Sequence, residues 1–167
     1  LLDIGCGIGP NLFFCLDMGI DTFGVDLSQT AINYLYEIAK NKKINLKKDK
    51  VIQSDISNLP FENNFFDFSI ARSVLDSVDT NTAKKSFNEI SRVLKPKSYF
   101  YCDVWSDEDN LHEENFKGEE IVTTKHEEGT VQLYYNEEKI RSMTKNLFEI
   151  KECKLIKYTD LTTGKYK

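Results

Sequence analysis

Leu1-Leu2-Asp3-Ile4-Gly5-Cys6-Gly7-Ile8-Gly9 decides how this chain is read. An apolar run that carries one acid and then breaks into glycines at every second position predicts a buried strand ending in a tight backbone turn. Pro10 follows, and proline is tolerated in a first helical turn because the N–H it lacks has no helical partner there. With Asn11-Leu12-Phe13-Phe14 the stretch predicts strand, glycine loop and helix N-terminus in succession, a place where exposed backbone can lie against a ligand.

A second strand supports that reading. Thr22-Phe23-Gly24-Val25-Asp26 ends in a carboxylate about 20 residues downstream, the distance at which the second strand of a Rossmann-type sheet reaches ribose hydroxyls. The glycines are spaced Gly-x-Gly-x-Gly, not the Gly-x-Gly-x-x-Gly of nicotinamide and flavin binders.

Outward from this start, strands alternate with helices. Residues 11–18 predict a short helix closed at Gly19, and Ser28 predicts a cap for a helix carrying Ala31, Ile32, Leu35, Ile38 and Ala39, with Lys40 to Lys43 at its C-terminal end. Lys50 to Gln53 and Phe66 to Ala71 predict strands three and four. Ala83, Phe87, Ile90 and Leu94 share one helical face over 81–94, Pro96 marks the stop, and Tyr99 to Val104 predicts strand five. The alternation predicts an α/β fold, a Rossmann-like three-layer α/β/α sandwich with a mostly parallel sheet and ligands at the carboxyl ends of its strands.

The character changes at 106–119, which is polar, acidic and aperiodic. Glu120 to Lys125 and Thr130 to Tyr135 flank His126-Glu127-Glu128-Gly129 and predict a β-hairpin after strand five, so that 106–135 forms an insert placed as a lid within a single domain, 1–167. Asn136 predicts a cap for a helix with Ile140 and Met143, and Phe148 to Tyr158 a last long strand with a bulge near Glu152, giving six main strands.

Composition bounds the function. The 167 residues are 40% hydrophobic and 29% charged, enough for one domain with its own core. A net charge of −5 argues against a phosphate-tracking surface, so nucleic acid is not the expected partner. Cys6, Cys15, Cys102 and Cys153 form no C-x-x-C pair, which predicts free thiols in a reducing compartment and no metal site. With no apolar run long enough to span a bilayer and no signal peptide, the expectation is a cytoplasmic protein without a membrane partner. The chain starts without Met inside a core strand, so preceding residues are expected.

Asp3 to Gly9 resembles motif one of the class I S-adenosylmethionine-dependent methyltransferases, with Asp26 at the acidic end of their second strand. Ser54-Asp55-Ile56, then Leu59 to Asp67, is similar to that family's loop after strand three and entry into strand four. Arg92 to Lys97 is similar to its junction into strand five, with Lys97-Ser98 replacing the usual glycine pair. The resemblance runs from residue 1 to about 105 and resumes near 134. It implies N-terminal helices and an antiparallel strand seven that are missing from this stretch.

It also implies S-adenosylmethionine as cofactor. Gly5, Gly7 and Gly9 would admit its amino acid end to the backbone, with Asp3 and Cys6 in the same loop. Asp26 would accept from the ribose, Leu27 would pack on adenine, Asp55 and the backbone of Ile56 would hydrogen-bond its edge, and Ala71 and Arg72 would line the methionine portion. Asp3 is equally readable as a support for the loop, and Asp55 as a turn residue. Methyl transfer needs mainly alignment of the acceptor and exclusion of water, so catalytic residues are harder to name. Arg72 (for a carboxylate), Asp76 and His126 are the candidates. Asp76 is also readable as a helix-capping or surface acid, and His126 as an exposed hairpin tip. His112 is the other histidine, and Trp105, Tyr134 and Tyr135 are candidate aromatic walls.

No Asn/Asp-Pro-Pro-Tyr signature follows strand four, where Ala71-Arg72-Ser73-Val74 stands, which argues against adenine or glutamine amino-methylation. The expected function is methylation of a small-molecule acceptor. RNA or protein methylation, and a non-catalytic regulatory subunit that binds the cofactor, are the alternatives; the oligomeric state is open.

Overall fold

Leu2–Ile4 (β1) is buried along its whole length because it has a strand on either side and a layer of helices over each face. In the computed structural model, which describes residues 1–108, 119–121, 130–159 and 161–162, β1 pairs with Phe23–Asp26 (β2) and with Phe66–Arg72 (β4). Val51–Gln53 (β3) adds beyond β2 and Leu94–Asp103 (β5) beyond β4. The order is β3-β2-β1-β4-β5, with every pairing parallel. Strand order reverses between β1 and β4, so the crevice at their carboxyl ends is where such a sheet receives a ligand.

The helices form where local chemistry predicts them. Pro10–Asp17 (α1) opens on its proline, and Gly19 follows it at φ 75°. Gln29–Asn41 (α2) is capped by Ser28 Oγ, which accepts the Ala31 N–H at 3.2 Å. Thr80–Val93 (α3) is capped by Asp79, which takes the N–H groups of Asn81 and Thr82 at 2.8 and 3.0 Å.

Two apolar clusters fill the layers. Leu12 and Phe13 of α1 meet Ile32, Leu35 and Ala39 of α2 over one face of the sheet. Over the other, Ala83, Phe87, Ile90 and Val93 of α3 pack on Leu2, Ile4 and Val25 with Met143 of Glu137–Thr144 (α4). Each buried Leu, Ile or Phe contributes roughly 1.5–3 kcal/mol, which holds strands as short as β1 in place.

Strand five begins earlier than its apolar run. Regular pairing starts at Phe68 with Tyr99, as predicted, but Leu94 already pairs with Phe66, and Lys95 to Ser98 form an irregularity between the two pairings. Lys97 sits there at φ 67°, a conformation that glycine adopts more easily.

The expected last strand is not formed. No residue from Phe148 to Tyr158 belongs to a strand, and 151–159 are exposed. Phe148 is anchored, its ring 5.4 Å from that of Phe100, and Lys157 Nζ lies 2.7 Å from Glu108 Oε2. Between these anchors no backbone among the described residues pairs with the segment, and a strand needs such a partner. The main sheet therefore has five strands among the described residues, not six.

The predicted hairpin is present as Glu119–Ile121 (β6) antiparallel to Val131–Leu133 (β7). Its tip, including His126, and most of the acidic loop with His112 lie outside the described residues. The β7 end is sewn to the sheet. Leu133 N–H donates to Asp76 O at 2.7 Å, Tyr135 N–H to Trp105 O at 2.9 Å, and the buried Tyr135 hydroxyl to Leu75 O at 2.7 Å. Tyr135→Phe leaves the Leu75 carbonyl without its buried donor and should cost about 1–3 kcal/mol by urea unfolding. It should also speed proteolytic cleavage near β7, and an unchanged cleavage rate would mean that the backbone bonds alone hold the insert.

Candidate functional site

At the carboxyl ends of β1 and β2 the glycine loop turns through left-handed conformations, Gly5 at φ 66°, Gly7 at 52° and Gly9 at 88°. Two of the three are also sterically bound. A Cβ on Gly5 would come within 2.5 Å of Val74, and one on Gly9 within 2.9 Å of Leu35. Gly7 is different, since a Cβ there would meet nothing within 4 Å. Open space over a left-handed glycine is room for a ligand to approach the backbone.

Asp26 fixes the loop. Its Oδ2 accepts the Gly7 N–H at 2.7 Å and its Oδ1 the Ser28 N–H at 2.8 Å. A carboxylate offers about four acceptor positions, so both oxygens retain capacity for hydroxyl donors. Beside it Leu27 is 68% exposed, an apolar side chain at the carboxyl end of β2 with no apolar cover. Asp55 is exposed and uses Oδ1 on its own turn, accepting the Ser57 N–H at 2.7 Å, while Ile56 is buried in the core cluster. Cys6 is buried, and desolvation holds its thiol well above the usual range, so it packs beneath the loop as a neutral group.

At the end of β4, Ala71 is fully buried and Arg72 is exposed. The Arg72 Nε donates to Asp103 Oδ2 at 2.8 Å, and the Ser73 N–H donates to Asp103 Oδ1 at 2.8 Å. Asp103 was missed in the sequence, although a carboxylate ending a parallel strand, as Asp26 does, was the available signal. Val74 gave no signal, since its contact with Gly5 joins positions 69 residues apart in the chain.

Asp76 is neither a helix cap nor a surface acid. It is 2% exposed, and Asp79 caps α3 in its place, because Asp76 is drawn inward by the insert. Oδ2 accepts the Trp105 N–H at 3.0 Å and Oδ1 has no partner among the described residues. Burial raises its carboxyl to about 6. Tyr134 and Tyr135 are buried packing residues and Trp105 is partly exposed.

Asp3 is fully buried, and neither of its oxygens has a hydrogen-bond donor among the described residues. Burial raises it to about 7; the Asn11 side chain and the Leu12 N–H face it and pull the other way, and neither completes a bond. Among the described residues no group of His, Cys, Asp and Glu is placed to hold a metal ion, and no helix is long and apolar enough to cross a membrane.

Residues 2–102, which carry the loop, Asp26, Arg72 and all of the main sheet but Asp103, match the family model described as methyltransferase domain. The chain belongs to the class I S-adenosylmethionine-dependent methyltransferases. It is 31% identical over 115 residues to a tRNA (carboxymethyluridine(34)-5-O)-methyltransferase of Arabidopsis thaliana, covering 65% of this chain and 24% of that protein. It is 33% identical over 102 residues to the sterol 4-C-methyltransferase strm-1 of Caenorhabditis elegans, covering 59% and 29%. A crystal structure of a SAM-dependent methyltransferase from Methanosarcina mazei matches 99% of this chain and 86% of its own with a TM-score of 0.82 at 24% identity, which shows the fold. The chain thus spans less than a third of either curated relative.

The two buried acids make stability pH-dependent. Both are raised above the ordinary aspartate range, so the folded state keeps protons that the unfolded state has lost, and stability falls as pH rises. The window runs from about 4 to 6 for Asp76 and from about 4 to 7 for Asp3. Urea midpoints should fall between pH 4.5 and 7.5, with the slope reduced in Asp76→Asn and reduced further in Asp3→Asn. A wild-type midpoint that rises across this range would show that these carboxyls do not govern it.

Proposed function

We propose that this chain is the cofactor-binding domain of an enzyme that transfers a methyl group from S-adenosylmethionine to a small-molecule acceptor. The observation that carries the reading is the pairing of Gly7, open on its ligand side, with Asp26, which holds the loop by one N–H bond and keeps acceptor capacity in reserve. The residues fit the cofactor: the loop backbone suits its amino acid end, Asp26 its ribose hydroxyls, and the exposed Leu27 a flat apolar ring face.

When bound, S-adenosylmethionine supplies an electrophilic methyl on a sulfonium. The work left to the chain is placement. Asp26 and the loop fix one end of the ligand, and Arg72, held by Asp103, marks the rim where an acceptor would approach. The β7 end of the insert is tied to the turn after β4 by Tyr135 and Leu133, and an insert anchored there is suited to keeping water from the reaction.

A small-molecule acceptor is favoured by the net charge of −5 and by likeness to a sterol methyltransferase. Methylation of RNA is the second reading, and it rests on the tRNA methyltransferase among the relatives.

Asp26→Ala removes the loop's tether together with the ribose acceptors. Calorimetric titration should show affinity for S-adenosylmethionine falling by about 10- to 100-fold, the loss expected for hydrogen bonds to a charged group. Unchanged affinity in a folded variant would remove the ribose assignment. Failure of the wild-type protein to bind either S-adenosylmethionine or S-adenosylhomocysteine would remove the cofactor.

A further inference from the structure

Three features carry more than the reading above uses. One is a cavity between α2 and β3, lined by Gln29, Asn33, Tyr36 and Gln53, whose polar groups are largely satisfied within the chain. Another is the unpartnered Oδ1 of Asp76, enclosed by the segments that pin the insert. The third is the guanidinium of Arg72, and its surroundings reach furthest.

The carboxyl edge of the sheet divides in two. The glycine loop and Asp26, at the ends of β1 and β2, form the half read above as the cofactor's. The ends of β4 and β5 form the other, and an acceptor that approaches the same ligand from the same edge has that half left to it. Arg72 stands there. Its strand lies between β1 and β5, and its Nε donates to Asp103 Oδ2 of β5 at 2.8 Å, so the guanidinium is drawn toward β5 and away from the glycine loop.

The arrangement holds the guanidinium in one orientation. Asp103 is opposite Arg72 in the register of the two strands, and its other oxygen takes the Ser73 N–H at 2.8 Å. Ser73 adopts a left-handed φ of 51°, which is strained for a residue with a Cβ and is kept where the surroundings require it. Stability gains little from the pair, because the Arg72 side chain is 55% exposed and an ion pair so open to water is weak. Nor is the donor capacity of Arg72 used up. Nε alone is engaged, and among the described residues Nη1 and Nη2 donate to nothing. Those two nitrogens form a planar fork that matches the two oxygens of a carboxylate. The phenols of Tyr101 on β5 and of Tyr158 lie within electrostatic reach of the guanidinium, and both side chains are exposed. Ring faces beside a donor fork suit a carboxylate carried on an apolar or aromatic body.

We propose that Arg72, oriented by Asp103, binds a carboxylate of the methyl acceptor, so that the substrate is a small carboxylic acid. The inference rests on the reading of this chain as a small-molecule methyltransferase and goes beyond it to the charge of the acceptor. The carboxylate is a handle and not the methylated group, because the guanidinium draws on the lone pairs that a nucleophile would use. The methyl is received by another nucleophilic atom of the same molecule. A neutral molecule of the same shape lacks the charge-assisted bonds and binds less well.

The test uses benzoate as the probe carboxylate and benzamide as its neutral counterpart. Each is titrated into the protein saturated with S-adenosylhomocysteine, and binding is read from proton–nitrogen NMR signals that include the Arg72 Nε–H. Benzoate should shift the Arg72 Nε–H and the Ser73 amide, and benzamide should shift neither. Arg72→Gln should weaken benzoate by about 10- to 100-fold, the loss expected for hydrogen bonds to a charged group. Arg72→Lys keeps the charge without the fork and should recover only part of that loss. Both variants should bind S-adenosylhomocysteine within about twofold of wild type, which also shows that they fold. No benzoate-induced shift at Arg72, equal benzoate affinity in Arg72→Gln, or benzamide binding as well as benzoate overturns the inference while leaving the cofactor reading intact. Displacement of S-adenosylhomocysteine by benzoate, or a loss of its affinity of about tenfold in Arg72→Gln, also overturns it, assigning the guanidinium to the cofactor's own carboxylate. Inorganic phosphate that moves the Arg72 Nε–H where benzoate does not overturns the carboxylate in favour of a phosphorylated acceptor. If S-adenosylhomocysteine does not bind the wild-type protein, the cofactor reading fails and the inference falls with it.

Discussion

The hydrogen bond from the Gly7 N–H to Asp26 Oδ2 is the constraint around which the candidate site is arranged. It joins the tip of the glycine loop to the end of the neighbouring strand, and so fixes the distance between backbone that can approach a ligand and a carboxylate that can accept from one. The bond is charge-assisted and short at 2.7 Å, the kind that holds geometry well. It forms only because β1 and β2 are parallel and in register, Ile4 beside Val25, which brings both carboxyl ends to one edge.

From that edge a chain of contacts runs outward to the insert. Gly5 leaves room for Val74, which no larger residue there would do. Leu75 and Asp76 follow, and Tyr135, Leu133 and Trp105 bond to them. The glycine loop, the turn after β4, the end of β5 and the β7 end of the insert are thus one packed unit. The insert expected as a lid is, at its β7 end, bonded to the turn after β4 and to the end of β5.

Charge is distributed unevenly across this unit. The acids at the strand ends that face solvent are satisfied, Asp26 by two backbone N–H groups and Asp103 by Arg72 and Ser73. Those turned inward, Asp3 and Asp76, retain unpartnered oxygens among the described residues and are raised toward neutrality by burial. Native proteins seldom leave such groups without a purpose, because each one lowers stability.

How much of this was legible in the sequence follows the range of the interactions. Positive-φ glycines, a proline at a first helical position and caps at Ser28 and Asn136 act within a few residues, so the loop, the helices and the alternation that makes a parallel sheet could be read directly. The acid ending β2 could be placed for the same reason. The burial of Asp3 and Asp76, the partnership of Arg72 with Asp103, the Val74 contact with Gly5 and the failure of Phe148 to Tyr158 to become a strand could not. Each of these depends on residues distant in the chain, and on whether a neighbouring strand or helix is there to exclude water or to pair. Local chemistry determined the elements and the loop; only the packing of those elements decided which carboxylates face a ligand and which are shut away from solvent.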